Sequence, residues 1–324
     1  MAMKPKVFID GEVGTTGLQI RARLEGRTDI EFIRLDDKDR KDSKKREQAL
    51  NECDLAVLCL PDDAAREAVS LVRNPRVKVL DASSAHRVQP EWVYGLPEMA
   101  RNQPPRIAHG RLVSNPGCYP TGVILLLKPL IRKHLVPQEY PVSVHAVSGY
   151  TGGGKAMIEE FENKTKPKQT PHTAYGLKLE HKHVEEMRVY SECARRPIFT
   201  PSYGNYRQGI VLQIPLQLAA FPKPSTGVEL HAALAEYYRD SEYVRVMSLK
   251  ELEAVERLEP EILNGTNNVN LYVFYNDKYQ QAVLAAVYDN LGKGASGAAV
   301  QNLNLMLGVS EIGNLDLSKQ VAHF

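Results

Sequence analysis

The sequence has few cysteines and almost no net charge. Its 324 residues include 4 cysteines, and 41 lysines and arginines against 39 aspartates and glutamates leave a formal charge of +2. So few cysteines in a chain of this length do not form a disulfide framework, and each is expected to be a buried apolar residue or a reactive thiol. The basic residues are scattered rather than grouped in a stripe, which argues against nucleic acid as a partner.

Long apolar segments are also missing. No run approaches the roughly 20 residues that a membrane helix needs, and residues 1–9 contain no apolar stretch of signal-peptide length. We therefore expect a cytoplasmic protein without a membrane partner. The remaining composition, 43% hydrophobic and 25% charged, is typical of a globular chain, and the length suggests about two domains.

The first 116 residues alternate short apolar runs with helix-like segments. The runs at residues 7–9, 30–35, 55–60 and 77–80 are nearly continuous in apolar side chains, as in a parallel sheet that is buried on both faces. Strands and helices alternating in this order predict an α/β domain with a doubly wound, Rossmann-type sheet.

The pattern changes after about residue 116. Longer, more alternating strands are predicted at 142–147, 210–218, 269–275 and 282–288, and helices at 178–193 and 228–238. This half is expected to be an α+β domain around a larger mixed or antiparallel sheet. Pro129 lies in an apolar, helix-like segment that it is expected to kink or interrupt. A last helix is predicted at 295–307.

A glycine-rich turn follows the first predicted strand. Gly11, Gly14 and Gly17 have the spacing G-x-x-G-x-x-G and precede a helix, so backbone amides there could approach a phosphate at the helix N-terminus. Thr15 and Thr16 add hydroxyl groups suited to phosphate oxygens. The alternative is a tight strand-to-helix turn without a ligand.

The residues after the second predicted strand bear on the choice between NAD and NADP. An acid there normally binds the ribose hydroxyls of NAD, whereas arginine or lysine favours the extra phosphate of NADP. The chain has both kinds of residue there: Asp36, Asp37, Lys38, Asp39, Arg40 and Lys41. The local sequence therefore leaves both cofactors open.

Cys118 lies between Gly117 and Pro120, where a turn gives way to a predicted helix. A thiol at a helix N-terminus is close to free backbone amides and to the positive end of the helix dipole, which favours the thiolate. Cys118 is therefore a candidate nucleophile, and the alternative is a small buried cysteine near a helix cap. The other cysteines are expected in the core: Cys53, Cys59 and Cys193.

Two histidines are candidates for general acid–base catalysis. A cysteine nucleophile needs a group that moves protons, and His181 and His183 lie in one short polar segment. If that segment is helical, residues two apart do not share a face, so both could not easily bind one metal ion. We predict no metal site. An ordinary polar helix surface is the alternative.

A second glycine-rich loop joins the predicted strand 142–147 to a helix-like segment. It runs from Ser148 to Lys155 and contains Gly152 and Gly153. Such a loop at a helix start suits an anionic group, for example a substrate phosphate or the nicotinamide end of a cofactor. A flexible loop without a ligand is the alternative.

Together these segments resemble the N-acetyl-gamma-glutamyl-phosphate reductase family, relatives of aspartate-semialdehyde dehydrogenase. The matching motifs follow the family's order: D-G-E-x-G-T-T-G at Gly11, S-N-P-G-C-Y-P-T around Cys118, and N-L-G-K-G-A-S-G-A-A-V-Q-N from Asn290. The first of them is typical of the shorter subgroup. The chain departs from the family pattern at residues 81–87, at residues 148–154 and in the histidine segment.

The resemblance implies reduction of an acyl phosphate to an aldehyde with NADPH, with release of phosphate, in arginine biosynthesis. Cys118 would form a thioester, and His181 or His183 would be the acid–base. The implied NADP(H) contacts are Gly11, Gly14, Thr15, Thr16, Gly17, Ser83, Gly152, Gly153 and Asn290. Positive charge suits a carboxylate and a phosphate. The expected substrate contacts are Arg87, Asn115, Ser148, Lys155 and Arg207.

The resemblance also implies a domain plan. An NADP-binding domain of residues 1–117 and 294–324 would be completed by a last helix that returns to it, and residues 118–293 would form the α+β catalytic and dimerisation domain. A homodimer or homotetramer is expected.

Other functions fit parts of the sequence. The same chemistry could act on an aspartyl phosphate or on a carrier-linked aminoadipyl or glutamyl phosphate. A cysteine hydrolase would use Cys118 and a histidine but would not need the first glycine turn. A non-catalytic cofactor sensor would need neither Cys118 nor the histidines.

Overall fold

The structure is a computed structural model that describes residues 4–309. Within these residues the chain divides into two compact units, one of residues 4–116 with 295–309 and one of Gly117–Gly294. None of the helices in the described part of the chain is both long enough and apolar enough to cross a membrane.

The first unit contains a six-stranded sheet in which all paired strands are parallel, in the order β2-β1-β3-β4-β6-β5. The strands are β1 (Lys6–Asp10), β2 (Glu31–Ile33), β3 (Leu55–Leu58), β4 (Lys78–Asp81), β5 (Val93–Tyr94) and β6 (Leu112–Ser114). The helices between them are α1 (Thr15–Leu24), α2 (Ser43–Glu52), α3 (Asp62–Leu71) and α4 (Gln103–His109).

The position of β3 inside the sheet, between β1 and β4, explains why its sequence is continuously apolar. Leu55 and Val57 belong to one buried apolar cluster, whereas Ala56 and Leu58 belong to another, and all four side chains are 0% exposed. Since successive side chains of a strand point to opposite faces, both faces of the sheet are covered. The predicted doubly wound sheet is confirmed.

The second unit is built on a seven-stranded mixed sheet in the order β11-β12-β13-β10-β7-β9-β8. Its strands are β7 (Ser143–Gly149), β8 (His172–Ala174), β9 (Ile198–Gly204), β10 (Ile210–Gln217), β11 (Val244–Val246), β12 (Val269–Asn276) and β13 (Gln281–Tyr288). Its helices are α5 (Cys118–Arg132), α6 (Gly154–Phe161), α7 (His183–Ser191), α8 (Gly227–Tyr237) and α9 (Leu249–Glu253). The predicted α+β architecture is confirmed.

The last described helix, α10 (Gly297–Leu307), belongs to the first unit, as predicted. The amide of Asn302 donates to the carbonyl of Gly95 at 2.8 Å and to the side-chain oxygen of Asn115 at 3.0 Å. A Cβ at Gly95 would lie 2.4 Å from the Asn302 amide nitrogen, so this close contact requires glycine.

Pro129 does not interrupt the helix that contains it. α5 runs from Cys118 to Arg132, so the expectation of an interruption is wrong. A proline has no N–H to donate to the carbonyl of Leu125, four residues earlier. The hydroxyl of Tyr238 donates to that carbonyl at 2.7 Å instead. The buried acceptor is therefore satisfied, and the helix continues.

The helix predicted over residues 178–193 begins later than expected. α7 starts at His183, because Leu179 has a φ of +58°, in the left-handed region that ends a right-handed helix. The ring nitrogen Nδ1 of His181 accepts the backbone N–H of His183 at 3.1 Å. His181 is thus outside the helix and caps its first turn.

A charged cluster joins the C-terminal ends of α5 and α7. Glu192 accepts hydrogen bonds from Lys128 Nζ at 2.9 Å and from Arg132 at 2.6 Å, and Lys128 also donates to the carbonyl of Tyr190 at 3.0 Å. Burial acts to raise the pKa of Glu192, but the hydrogen bonds and charges of Arg132 and Lys128 outweigh it. The pKa of Glu192 therefore lies below its ordinary value.

We expect Glu192→Gln to lower the free energy of unfolding by about 1–2 kcal/mol at pH 7, because charge-assisted hydrogen bonds are lost. A carboxyl whose pKa is lowered by folding stabilises the fold above its unfolded-state pKa, about 4.3. That stabilisation disappears as the pH falls through the lower folded-state pKa. Urea unfolding at pH 7 and below pH 4 measures the difference between variant and wild type.

Glu185→Gln is the matched control. Glu185 lies on the same helix and pairs with Arg188, but both side chains of that pair are more exposed than Glu192, at 42% and 37%. Such pairs contribute at most about 1 kcal/mol. Equal losses for both variants at pH 7, or a Glu192→Gln loss that persists at low pH, would contradict the assignment.

Candidate active site

The candidate nucleophile lies at the first position of α5. Gly117 is the N-cap residue and has an extended backbone, with φ −71° and ψ 153°. Cys118 begins the helix and is half-buried. The backbone N–H of Gly117 donates to Glu186 Oε2 at 3.0 Å. Glu186 is 1% exposed and lies on α7. A buried carboxylate thus fixes the residue that precedes the cysteine.

Gly294 packs against the side chain of Cys118. A Cβ added at Gly294 would lie 3.0 Å from the Cβ of Cys118 and 3.2 Å from the carbonyl oxygen of Asp289. The N–H of Gly294 donates to that same carbonyl at 3.0 Å. The turn from Asp289 to Gly294 therefore packs directly behind Cys118.

The two candidate histidines lie together. Their ring centroids are 4.7 Å apart in an edge-on arrangement, so the expectation that they would lie on different faces of one helix is wrong. The physical reason is that α7 begins only at His183, whereas His181 belongs to the preceding turn. His183 is buried and His181 is half-buried.

An aromatic cluster joins the histidines to the helix of Cys118. The ring of Tyr119, the residue after the cysteine, lies 5.9 Å from that of His183 and 6.3 Å from that of His181. The hydroxyl of Tyr175 donates to the Tyr119 hydroxyl at 3.1 Å. Burial raises the pKa of Tyr119 well above its ordinary value. Tyr119 therefore stays a neutral phenol near these groups.

The other cysteines do not have the environment of a nucleophile. Cys53 and Cys193 are buried, and burial raises the pKa of their thiols to about 12 and about 11. Cys59 is half-buried, and burial together with the carboxylates of Asp81 and Asp10 raises the pKa of its thiol as well. The predicted core placement is confirmed for Cys53 and Cys193.

The second glycine loop is held in place by side chains that are themselves buried. Asn290 is 2% exposed; its amide nitrogen donates to Thr151 Oγ1 at 3.0 Å and its oxygen accepts the N–H of Gly209 at 2.7 Å. Gly152 and Gly153 are exposed. The side chain of Asn290 thus positions the loop, and its contact with a cofactor stays a prediction.

The expected substrate contacts of the second unit differ in their surroundings. Ser148 is fully buried and donates to the carbonyl of Gly149 at 3.2 Å. Lys155 is 76% exposed and lies 3.7 Å from Glu159. The guanidinium of Arg207 forms an ion pair with Glu162. Binding of substrate by any of these residues stays a prediction.

The first glycine turn is shaped by two close approaches. Gly11 has a φ of +85°, and a Cβ there would lie 2.4 Å from the carbonyl oxygen of Cys59. A Cβ at Gly17 would lie 2.4 Å from the carbonyl oxygen of Gly11. Gly14 is the N-cap of α1, which begins at Thr15 and continues through Thr16. The predicted strand–turn–helix geometry is therefore present at the carboxyl end of β1, where parallel sheets bind ligands.

A cavity of about 420 Å³ opens beside this turn and the end of β2. Two of its acids are already paired: Asp10 with Arg46 at 2.9 Å and Asp37 with Arg40 at 2.9 Å. Its basic lining residues are Arg34, Arg40, Lys41 and Arg46. The cavity is thus lined by the turn that precedes α1 and by four basic residues against three acids, Asp10, Glu12 and Asp37. These groups fit a dinucleotide that carries an additional phosphate.

Other predicted site residues of the first unit form hydrogen bonds within that unit. Ser83 donates through its hydroxyl to Asp81 Oδ2 at 2.7 Å, and His86 Nδ1 lies 2.6 Å from the same oxygen. Arg87 is 7% exposed and donates to the carbonyl of Ala82 at 3.1 Å. These contacts fix the segment after β4, and its ligand contacts stay predictions.

Asn115 is also bonded within its unit. Its amide nitrogen donates to the carbonyl of Ala295 at 2.9 Å, and its oxygen accepts from Asn302 at 3.0 Å. In residues 4–309, no group of three or more His, Cys, Asp or Glu side chains is placed to hold a metal ion.

Glu186 was not predicted as a site residue. Its position in the sequence could have indicated a place near His183, because residues three apart on a helix share a face and Glu186 follows His183 by three. The anchoring of Gly117 by this carboxylate could not be foreseen, since the two residues are 69 positions apart in the chain.

Two family models match the chain. Residues 17–105 match the semialdehyde dehydrogenase NAD binding domain, and residues 118–290 match the semialdehyde dehydrogenase dimerisation domain. An aspartate semialdehyde dehydrogenase II from Vibrio cholerae, solved in complex with ASA, has the same fold, with a TM-score of 0.71 at 16% identity over 95% of this chain and 99% of that one. Fold and matched domains define a semialdehyde dehydrogenase, an oxidoreductase class.

Relatives of known name narrow this class. An N-acetyl-gamma-glutamyl-phosphate reductase of Burkholderia cenocepacia is 58% identical over 309 residues, with 94% of this chain and 98% of the relative covered. One of Burkholderia lata is 54% identical over 309 residues, with 95% and 98% covered. The chain belongs to the N-acetyl-gamma-glutamyl-phosphate reductase family.

We expect Gly294→Ala to lower kcat/KM about tenfold, because the new methyl group would displace Cys118 by a few tenths of an ångström and reacting groups tolerate little misplacement. Steady-state kinetics and the rate of Cys118 alkylation measure the effect. Gly26→Ala is the control: Gly26 has a φ of +80° with nothing within 4 Å of a Cβ. That variant should lose stability by about 1 kcal/mol and keep its rate, and an unchanged rate in Gly294→Ala would refute the packing argument.

Proposed function

We propose that the protein catalyses the NADPH-dependent reduction of N-acetyl-glutamyl 5-phosphate to N-acetyl-glutamate 5-semialdehyde and phosphate, as a step of arginine biosynthesis. The observation that carries the proposal is Cys118 at the N-terminus of α5 with His181 and His183 joined to that helix by one aromatic cluster. The names of the relatives supply the substrate.

Cys118 is the proposed nucleophile. Its thiolate attacks the acyl carbon, the bond from that carbon to the phosphate oxygen breaks, and phosphate leaves with the bonding electrons. The product is a thioester on Cys118, which divides one difficult reaction into two easier ones. When bound, the nicotinamide of NADPH supplies the hydride that reduces this acyl group.

The histidines are proposed to move the protons. One of them accepts the thiol proton of Cys118 and gives it to the oxygen of the thiohemiacetal that reduction of the thioester would leave. A histidine takes that proton back as the carbon–sulfur bond breaks, which releases the aldehyde and restores the Cys118 thiolate. The Nδ1 atom of His181 accepts a backbone N–H, so in the neutral ring Nε2 carries the proton and can donate it, but cannot accept the thiol proton in that tautomer. His183 is the more buried of the two.

NADP(H) is the proposed cofactor. The amides of the turn at Gly11, Gly14 and Gly17 and the hydroxyls of Thr15 and Thr16 would hold the pyrophosphate. The basic residues of the cavity would hold the additional phosphate. Further proposed cofactor contacts are Ser83, Gly152, Gly153 and Asn290.

The anionic substrate is proposed to use positive charge and buried polar groups. The proposed contacts are Arg87, Asn115, Ser148, Lys155 and Arg207. The unit of Gly117–Gly294 would act as catalytic and dimerisation domain, and the other unit would bind the cofactor. A homodimer or homotetramer in the cytoplasm is part of the proposal.

The reverse reaction tests the chemistry. With NADP and N-acetyl-glutamate semialdehyde, we expect reduction of the cofactor only when inorganic phosphate is present. Cys118→Ser should lower the rate by at least about a thousandfold, because the nucleophile is lost, whereas Cys193→Ala should keep it. Absorbance at the wavelength of reduced nicotinamide follows the reaction.

Other results of this experiment would distinguish the alternative functions. Activity with aspartate semialdehyde or a carrier-linked aldehyde alone would keep the chemistry and replace the substrate. Activity that survives Cys118→Ser would exclude the thioester route. Hydrolysis of an acyl donor without any cofactor would favour a cysteine hydrolase.

The cavity predicts the choice of cofactor. Arg34→Ala and Lys41→Ala should each raise the Kd of NADPH about tenfold, because a charge-assisted contact to phosphate is lost, and leave the Kd of NADH nearly unchanged. Titration calorimetry measures both constants. Lys38→Ala is the matched control, since Lys38 lies in the same loop but does not line the cavity. Equal effects on NADH and NADPH would contradict this assignment.

A further inference from the structure

The hydroxyl of Tyr288 lies at the first turn of α5. It donates to the carbonyl oxygen of Cys118 at 2.7 Å and accepts the backbone N–H of Gly122 at 3.3 Å. These two backbone groups are four residues apart, so they are the pair that a regular helical hydrogen bond would join, one residue after the bond from Thr121 to Gly117. A side chain from another element thus engages both of them.

The approach of Tyr288 depends on a residue without a side chain. A Cβ at Gly122 would lie 2.8 Å from the Tyr288 hydroxyl and 2.9 Å from its ring. Tyr288 itself is 0% exposed and is the last residue of β13, where it pairs with Ile210 and Val269 of the neighbouring strands. The hydroxyl is therefore held by the sheet.

The start of α5 needs partners from outside the helix, because the first N–H groups of a helix have no acceptor within it. The N–H and hydroxyl of Thr121 both donate to the carbonyl of Gly117, at 3.2 and 3.0 Å. Glu186 and Tyr288 add contacts from other elements to the backbone of Gly117 and Cys118, and these contacts help to fix the direction of the Cys118 side chain.

We propose that Tyr288 is a positioning residue that sets the backbone of Cys118 and so aims its thiol. The proposal rests on the proposed function, in which Cys118 is the nucleophile. Reacting groups must be held within a fraction of an ångström. The Tyr288 hydroxyl provides such a constraint because its strand, β13, belongs to the seven-stranded sheet. Burial raises the pKa of Tyr288 well above its ordinary value, so the hydroxyl remains a donor at working pH.

Tyr238 provides a matched control on the same helix. Its buried hydroxyl donates to the carbonyl of Leu125 at 2.7 Å, the same kind of bond seven residues further along α5. Tyr238→Phe removes one hydroxyl and one hydrogen bond to this helix. Tyr288→Phe removes one hydroxyl and two hydrogen bonds, to Cys118 and to Gly122. Only Tyr288→Phe removes a bond to Cys118.

The experiment measures alkylation of Cys118 by iodoacetamide between pH 6 and 9, located by mass spectrometry, together with reverse-reaction kinetics. We expect Tyr288→Phe to slow alkylation three- to tenfold, the effect of about one ordinary hydrogen bond, and to lower kcat more than it changes KM. Tyr238→Phe should stay within twofold, although thermal unfolding should show a similar loss of stability for both variants.

A second variant, Gly122→Ala, tests the proposal if Tyr288→Phe does not fold. Gly122→Ala displaces the hydroxyl without removing it and should slow alkylation in the same direction. Equal alkylation rates for wild type, Tyr288→Phe and Gly122→Ala would overturn the proposal, as would equal slowing in Tyr238→Phe. A wild type that alkylates selectively at Cys118 but reduces no cofactor would overturn the proposed function alone, because the alkylation series would still support the position of Tyr288.

Discussion

The first turn of α5 is the constraint on which the candidate site depends. The first N–H groups of a helix have no acceptor within the helix, so contacts from other segments fix this turn. Glu186 fixes the N-cap from α7, and Tyr288 engages the carbonyl of Cys118 from β13. Gly294 closes the space behind the thiol. Three separate segments thus place one side chain, which is how a reactive group at the end of a helix can be held firmly.

The histidines depend on the same pair of helices. α7 carries Glu186 to the N-cap of α5 and begins at His183, so the position of that ring and the position of Cys118 are set by one helix–helix contact. At the other end of the two helices, Glu192 joins Lys128 and Arg132. Bonds at both ends restrict sliding of one helix along the other, and they hold the His183 ring against Tyr119 in the first turn of α5.

The sequence predicted most of the fold because burial leaves a local pattern. β3 is apolar throughout since both of its faces are covered, and Cys118 was recognisable from its neighbours Gly117 and Pro120. The errors came from contacts that are distant in sequence. Pro129 does not end α5 because Tyr238, 109 positions away, lies beside the helix, and no pattern near Cys118 indicates Tyr288, 170 positions away.

The motif that begins at Asn290 positions the candidate site through hydrogen bonds and close packing. Asp289 accepts the N–H groups of Gly265 and Leu291, both at 2.8 Å, and Asn290 positions the second glycine loop through Thr151. Gly294 then packs behind Cys118. A single turn therefore positions both the nucleophile and the loop. Substitutions in this turn should disturb the site even where they touch neither substrate nor cofactor.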